Sequence, residues 1–312
     1  DHIHADNGVL LTPGMYEIIR GECLALRAFL HFDLMRLFGP VPADLEAGGA
    51  RLPYVRVVSK EIKLPVSYDE YKDFLLKDLR DAAALLKEYD PIVVEGSVTD
   101  EFLVRRTCRM NYYAVLGTLA RVHLTLGTTD DMEKAYDYAM EVIESGKFRP
   151  IQEEHILVSG EQAKYRDILF TDEFIFGLYS AQVDAFYKSN FDESYGVKKI
   201  LINKLSDIYG QGTRDLRQTH WFKTSWGTSY LLKHNADLEY AKEKVRMITL
   251  AEMYYIAAEA HPAEAYDLLE EILPSREIHS SLPVNAGRTE VLTEVLKEYR
   301  KEYIGDGQFF YA

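Results

Sequence analysis

Cysteine is nearly absent from this 312-residue chain, which holds only Cys23 and Cys108. Two thiols cannot build a disulfide framework or a four-thiolate metal site, and both fall in helix-like runs where they read as small buried apolar residues. No stretch approaches about 18 continuous apolar residues, which excludes a membrane-spanning helix. Bases are outnumbered by acids, 36 to 50, and the formal charge of -14 repels phosphate backbones and anionic surfaces beyond about a Debye length. Nucleic acid is therefore not an expected partner. With Gly at 19 and Pro at 10 positions, 47% hydrophobic and 28% charged residues, the composition excludes a collagen-like or wholly disordered chain. The sequence also starts at Asp1 without an initiator Met, a signal peptide or a lipid-accepting Cys, and so reads as a processed or trimmed product.

Catalytic motifs are missing too. There is no H-E-x-x-H, G-x-S-x-G, Walker loop, G-x-G-x-x-G or C-x-x-C. His2 and His4 with Asp1 and Asp6 resemble a metal cluster, but a chain end binds metals adventitiously and no further ligand presents itself. Thr107, Cys108 and His123 lack an activator that would make a nucleophile. The acids could supply a glycosidase pair, yet Glu133, Glu141, Glu270 and Glu271 stand where helix caps and polar stripes want charge. The residues point to no enzyme, no cofactor and no metal.

What is abundant is tyrosine: 22 against 14 Phe and 2 Trp. An apolar ring with a polar tip suits half-wet surfaces, so the aromatics are the feature to follow. Tyr16 to Phe38 is apolar on nearly every side, as a central helix is, and stops at Gly39-Pro40. Ser67 and Glu70 form a capping box ahead of a stripe through Tyr71, Leu75, Leu79, Ala82, Leu86 and Tyr89. Tyr112 to Leu126, closed by Gly127, and a helix capped by Asp130 with Glu133 and closed by Gly146 form a hairpin. Its Tyr113, Leu116 and Gly117 fit part of the tetratricopeptide pattern. A third hairpin runs from Val245 to Ala260 and from Pro262 to Leu273, and Arg288 to Tyr303 adds a closing helix. Between Lys147 and Lys244 the period breaks: Asp172 to Tyr179 suits a buried strand, Lys198 to Tyr209 a helix, and Gly210 to Asn235 shows no repeat.

The run Gly21 to Pro42 (GECLALRAFLHFDLMRLFGPVP) resembles the first signature of the SusD/RagB-like nutrient-binding proteins of Bacteroidetes outer membranes. Later segments agree in order: Leu52-Pro53-Tyr54, Lys77-Asp78-Leu79, Arg109 to Val115, Arg214 to Arg217 as the D-x-R segment, and Leu250 to Glu259. Glu298 to Gln308 is similar to the closing E-x-R-x-E-x-x-x-E-G-x-R, with Asp306 for Glu and Gln308 for Arg. The family's further N-terminal helical stretch and C-terminal tail have no counterpart.

The resemblance implies an all-α fold, a tetratricopeptide-like helical hairpin scaffold with irregular loop and short-strand excursions. It is expected as a single domain over 1–312, with N-terminal hairpins over 14–146, a ligand-binding excursion over 147–244, and a closing hairpin and helix over 245–312. It further implies a non-catalytic outer-membrane lipoprotein, lipid-anchored through a residue absent from this chain. Such a protein captures glycans, or in some relatives peptides, for a SusC-like TonB-dependent transporter. From the residues alone an intracellular tetratricopeptide adaptor also stays open.

The family signatures are scaffold motifs, so the site must come from physics. A sugar ring wants a flat aromatic face beside planar polar groups. The unperiodic aromatics of the excursion are Phe186, Tyr187, Tyr195, Tyr209, Trp221, Trp226 and Tyr230. Trp226, among small polar neighbours, is the first choice for ligand contact, with Tyr230, Tyr195, Tyr187 and Trp221 behind it, although Trp221 beside Phe222 also reads as core. Arg214 and Asn190, then Asp192 and Asn235, are the polar candidates.

Overall fold

Helices α1 (Met15–Phe38) and α2 (Tyr68–Tyr89) begin the computed structural model, which describes residues 12–40, 51–94, 101–193, 200–235 and 237–308, apart from the side chains at 101 and 200–203. The chain divides into two units, 1–138 and 139–310.

In the first unit α1 and α2 run antiparallel. Gly14 sits against Tyr89, Gly21 against Leu86, and the Tyr71 hydroxyl donates to the His31 carbonyl at 2.8 Å. Gly21 is what lets the two axes approach: a Cβ there would stand 2.8 Å from Leu86 Cγ. Gly21→Ala should be nearly neutral, because a helix-propensity gain of about 1 kcal/mol offsets the crowding. Gly21→Leu should cost about 3 kcal/mol through overpacking, measured as a lower urea midpoint. The Ser67–Glu70 box starts α2 as the sequence requires, with the Glu70 amide donating to Ser67 Oγ and the Ser67 amide to the Glu70 carboxylate.

After the one-turn α3 (Glu101–Val104) comes α4 (Tyr112–Leu126), capped by Asn111 Oδ1 and buried along every side from Tyr112 to His123. The central helix of this unit is therefore α4 and not α1, whose Leu26, Leu30, Leu34, Leu37 and Phe38 are exposed. The cap of α5 (Thr129–Glu144) is also not the expected Asp130: Thr128 and Asp131 bond reciprocally, and Thr128 Oγ1 accepts the Asp131 amide.

Ion pairs, most of them buried, hold this unit together. Glu22 accepts from Arg106 at 2.6 Å and from Arg109, while Asp90 grips Arg106 by two bonds of 2.7 and 2.8 Å. Asp78 accepts from Arg27 Nε and Nη2 and from the Tyr54 hydroxyl, each at 2.7 Å. Neither cysteine is bridged, and Cys23 is exposed where burial was expected.

The second unit begins with α6 (Glu153–Ile156) and β1 (Phe174–Tyr179), followed by α7 (Val183–Asn190), β2 (Ile200–Leu201), α8 (Ile202–Tyr209) and α9 (Leu216–Trp221). Strands β3 (Phe222–Ser225), β4 (Thr228–Leu231) and β5 (Lys244–Thr249) precede α10 (Leu250–Ala260), α11 (Ala265–Ile272) and α12 (Arg288–Glu302). Strand β1 pairs antiparallel with β5, and β4 lies between β2 and β3.

Two expectations are corrected. Residues 245–249, read as the start of a helix, are strand, because β1 presents a partner edge to them and Gly177 faces Arg246 without a Cβ to crowd the ladder. The helix expected from Lys198 starts only at Ile202, after the two strand residues paired to β4.

Candidate functional site

Strands β3 and β4 form a hairpin whose register fixes its turn. Phe222 pairs with Leu231, Lys223 with Tyr230, Thr224 with Ser229 and Ser225 with Thr228, leaving Trp226 and Gly227 as a two-residue loop. Their φ angles of 50° and 74° are both left-handed, as in the tight hairpin turns whose twist matches the strands. Asn-Gly or Asp-Gly ordinarily fills such a turn. A tryptophan there costs about 1–2 kcal/mol of backbone strain. Trp226 is nevertheless 101% exposed, so no packing of the side chain compensates.

The base of the hairpin is as rigid as its tip is open. Trp221, at its start, is buried with its indole N–H donating to the Ile168 carbonyl at 2.6 Å, and Phe170 packs on its ring at 5.2 Å. Lys233, two residues past β4, is also buried and lies 4.0 Å over the Trp221 ring. Its ammonium donates to the Glu302 carbonyl and to Asp306 at 2.7 Å each, and to the Ile304 carbonyl at 3.3 Å. Burial and the adjacent Arg246 charge pull it down to about 7, although its three oxygen acceptors call for all three of its protons.

Beneath this base lies a buried ion cluster built from the D-x-R and closing-helix motifs. Arg217 bonds Asp215 at 2.8 and 3.0 Å, Glu298 at 2.6 Å and Glu302 at 3.0 Å. Glu302 also accepts from Arg246 at 2.9 Å, and Arg276 lies 3.6 Å from it while gripping Glu173. Against the cost of burial, Arg276, Arg246 and Arg217 hold Glu302 well below the usual carboxylate range, and Lys233 and Arg246 do the same for Asp306. Both acids bind protons less readily folded than unfolded. Their contribution is therefore complete above a pH of about 4 and lost as the pH falls below it, so the thermal midpoint should drop steeply on acidification in that range.

On the outer side of the hairpin Lys223, Ser225, Thr228 and Tyr230 alternate with the inward Phe222, Ser229 and Leu231. Glu193 reaches this side from the end of the segment after α7, 2.5 Å from Lys223 Nζ. Its bonds to Lys223 and Ser225 lower its pKa. The surface is thus a ribbon of hydroxyls with one neutralised ion pair, ending in a bare indole. Tyr230 stands about 10 Å back from the turn at 3.3 Å per residue, which separates two aromatic faces along one ribbon.

The structure sorts the nominated residues. Trp226 and Tyr230 come together on the hairpin. Trp221 and Tyr187 are corrections: both are buried, Trp221 because it plugs the hairpin onto the core and Tyr187 because it turns inward from α7. Tyr209, from the same unperiodic group, is buried as well, its hydroxyl donating to the Lys301 carbonyl at 2.9 Å. Tyr195 lies outside the described residues, as do His2, His4, Asp1 and Asp6. Arg214 is exposed but sits at the opposite end of α9 from the hairpin. Asn190 spends its amide on the Phe186 carbonyl and Ser189 Oγ, and Asn235 accepts the Asp237 amide in a turn. Asp192 directly precedes Glu193. Sequence reading missed Lys223, Ser225, Thr228 and Glu193, although alternation on both sides of Trp226-Gly227 is a two-residue hairpin signal. Among the described residues no group of three or more His, Cys, Asp or Glu could hold a metal ion.

No protein-family model matches the chain, and no curated protein matches it. Solved structures do. A SusD superfamily protein from Bacteroides thetaiotaomicron superposes with a TM-score of 0.71 at 22% identity, over 97% of this chain and 69% of that one. A SusD-like carbohydrate-binding protein from Bacteroides vulgatus gives 0.70 at 21% identity, over 96% and 63%. A protein solved with xylogluco-oligosaccharide gives 0.68 at 17% identity, over 96% and 65%. The chain thus spans less than two thirds of the length of the latter two. The chain thus has the fold of these SusD superfamily structures.

Proposed function

We propose that this chain is a SusD/RagB-like, non-catalytic glycan-binding protein, lipid-anchored at the outer face of the outer membrane. It passes captured oligo- or polysaccharide to a SusC-like TonB-dependent transporter. The observation that carries the reading is Trp226, held fully exposed at a backbone angle that strains it. Strain kept without a packing return is a mark of function. Its indole offers the flat apolar face that the C–H side of a pyranose ring covers. Ser225, Thr228 and Tyr230 supply hydroxyls for those of the sugar, and Tyr230 can take a second ring of the same chain. Two proteins of the same fold support the choice of ligand, one described as carbohydrate-binding and one solved with xylogluco-oligosaccharide.

Calorimetry of the intact protein against a panel of soluble polysaccharides, xyloglucan oligosaccharides among them, should register binding to at least one, with none to unstructured peptides. Binding to peptides alone would overturn the glycan reading. Release of reducing sugar by the pure protein would overturn the non-catalytic one. Co-purification of the membrane-anchored protein with a TonB-dependent transporter tests the partner.

A further inference from the structure

The exposed large apolar side chains are not spread evenly. Among the described residues nearly half lie between 26 and 64 of the first unit, on α1 and on residues 55–64. Along α1, Leu26, Leu30, Leu34 and Leu37 follow one another at four, four and three residues, which is a single helix face. Residues 51–66 form a loop closed at its neck by the Leu52–Val66 bridge. Its rising limb is fixed to α1: the Val55 amide donates to His31 Nε2 at 2.8 Å and Arg27 donates to the Arg56 carbonyl at 3.0 Å. Positions 27 and 31 adjoin 30 and 34 on the helix, so the stripe and the loop form one surface.

Beyond that limb Val58, Ile62 and Leu64 stand 89%, 90% and 78% exposed. All three are aliphatic side chains set almost wholly in solvent, and Phe38, 63% exposed, adds an aromatic ring at the end of α1. The loop's charge is opposite to that of the chain. Arg51, Arg56, Lys60 and Lys63 oppose Glu61 alone, four minus one giving +3 in a chain of -14. The acids that follow are occupied: Glu70 in the α2 cap and Asp69 with Lys72.

We propose that this face docks on an anionic lipid surface. Val58, Ile62 and Leu64 enter the boundary between headgroups and acyl chains, and Arg51, Arg56, Lys60 and Lys63 meet the lipid phosphates. Aliphatic points need no complementary pocket in a fluid layer, and basic residues around them supply the attraction. The acidic remainder of the chain does not cancel it, because screening over about 8 Å at physiological salt leaves each patch its own field at contact. The proposal is independent of the glycan reading.

The test is co-sedimentation of the intact protein with phosphatidylcholine vesicles, with and without phosphatidylglycerol. Partitioning onto the anionic vesicles, falling as salt rises, is expected. Val58→Asp with Ile62→Asp should lower it at least about tenfold, and Lys60→Glu with Lys63→Glu about as much. Val284→Asp, at a residue 65% exposed in the other unit, should leave it unchanged. Thermal melting of each variant should match the parent, since these side chains are outside the core. No partitioning onto anionic vesicles, equal partitioning onto neutral ones, or wild-type behaviour of the loop variants would overturn the proposal. So would self-association, or capture of a protein, through this face in place of lipid.

Discussion

Arg217→Met should destabilise the protein by about 3–5 kcal/mol, the usual cost of removing one partner from a buried charge network. The guanidinium is fully buried and joins Asp215, Glu298 and Glu302, which come from the loop before α9 and the end of α12. Without it three carboxylates face one another in a medium where repulsion is poorly screened. Arg217→Lys should rescue little, because one ammonium with three donors cannot replace a planar fork serving three acids. Urea denaturation followed by circular dichroism measures the loss. The difference between variant and parent should narrow as the pH falls below about 4, because the lowering of Glu302 to which Arg217 contributes stabilises the fold only above that pH. A loss under about 1 kcal/mol, within the range of an exposed salt bridge, would show that the cluster does not hold the unit together.

Trp226→Asn should have two opposite effects. Glycan binding should weaken by about 2 kcal/mol or more, roughly thirtyfold in Kd, as for other central tryptophan contacts. Stability should rise by about 1 kcal/mol, since Asn-Gly is the favoured pair for this turn and asparagine tolerates the left-handed region that strains tryptophan. Such a trade is expected where a residue serves binding at the expense of the fold. Calorimetry and a thermal melt on the same preparation decide it. An unchanged Kd would remove Trp226 from the site, and a lower melting temperature would mean that the indole packs in solution instead of standing free.

Much of the scaffold was legible because its signals are local. The Ser67–Glu70 box, the closing Gly127 and the stripe of α2 need only neighbouring residues to be read, and each appears where expected. Failures arose where a distant partner decides. Val245 to Thr249 carries no strong period of its own and becomes strand only because β1 lies beside it. Apolar content put α1 at the centre, yet the burial of α4 depends on what surrounds it.

The aromatics divide the same way. Composition and spacing determined that this chain is helical and has a group of unperiodic aromatics between Phe186 and Tyr230, while several of its segments resemble SusD/RagB-like signatures. Only the tertiary structure decided which of them face water. Trp221 and Trp226 are five residues apart in one segment, and their neighbours, Phe222 for the one and small polar residues for the other, only hint at their different fates. Register settles it: Trp221 falls at the pinned start of the hairpin, over the ion cluster, and Trp226 at its two-residue turn, where its ring stands fully exposed.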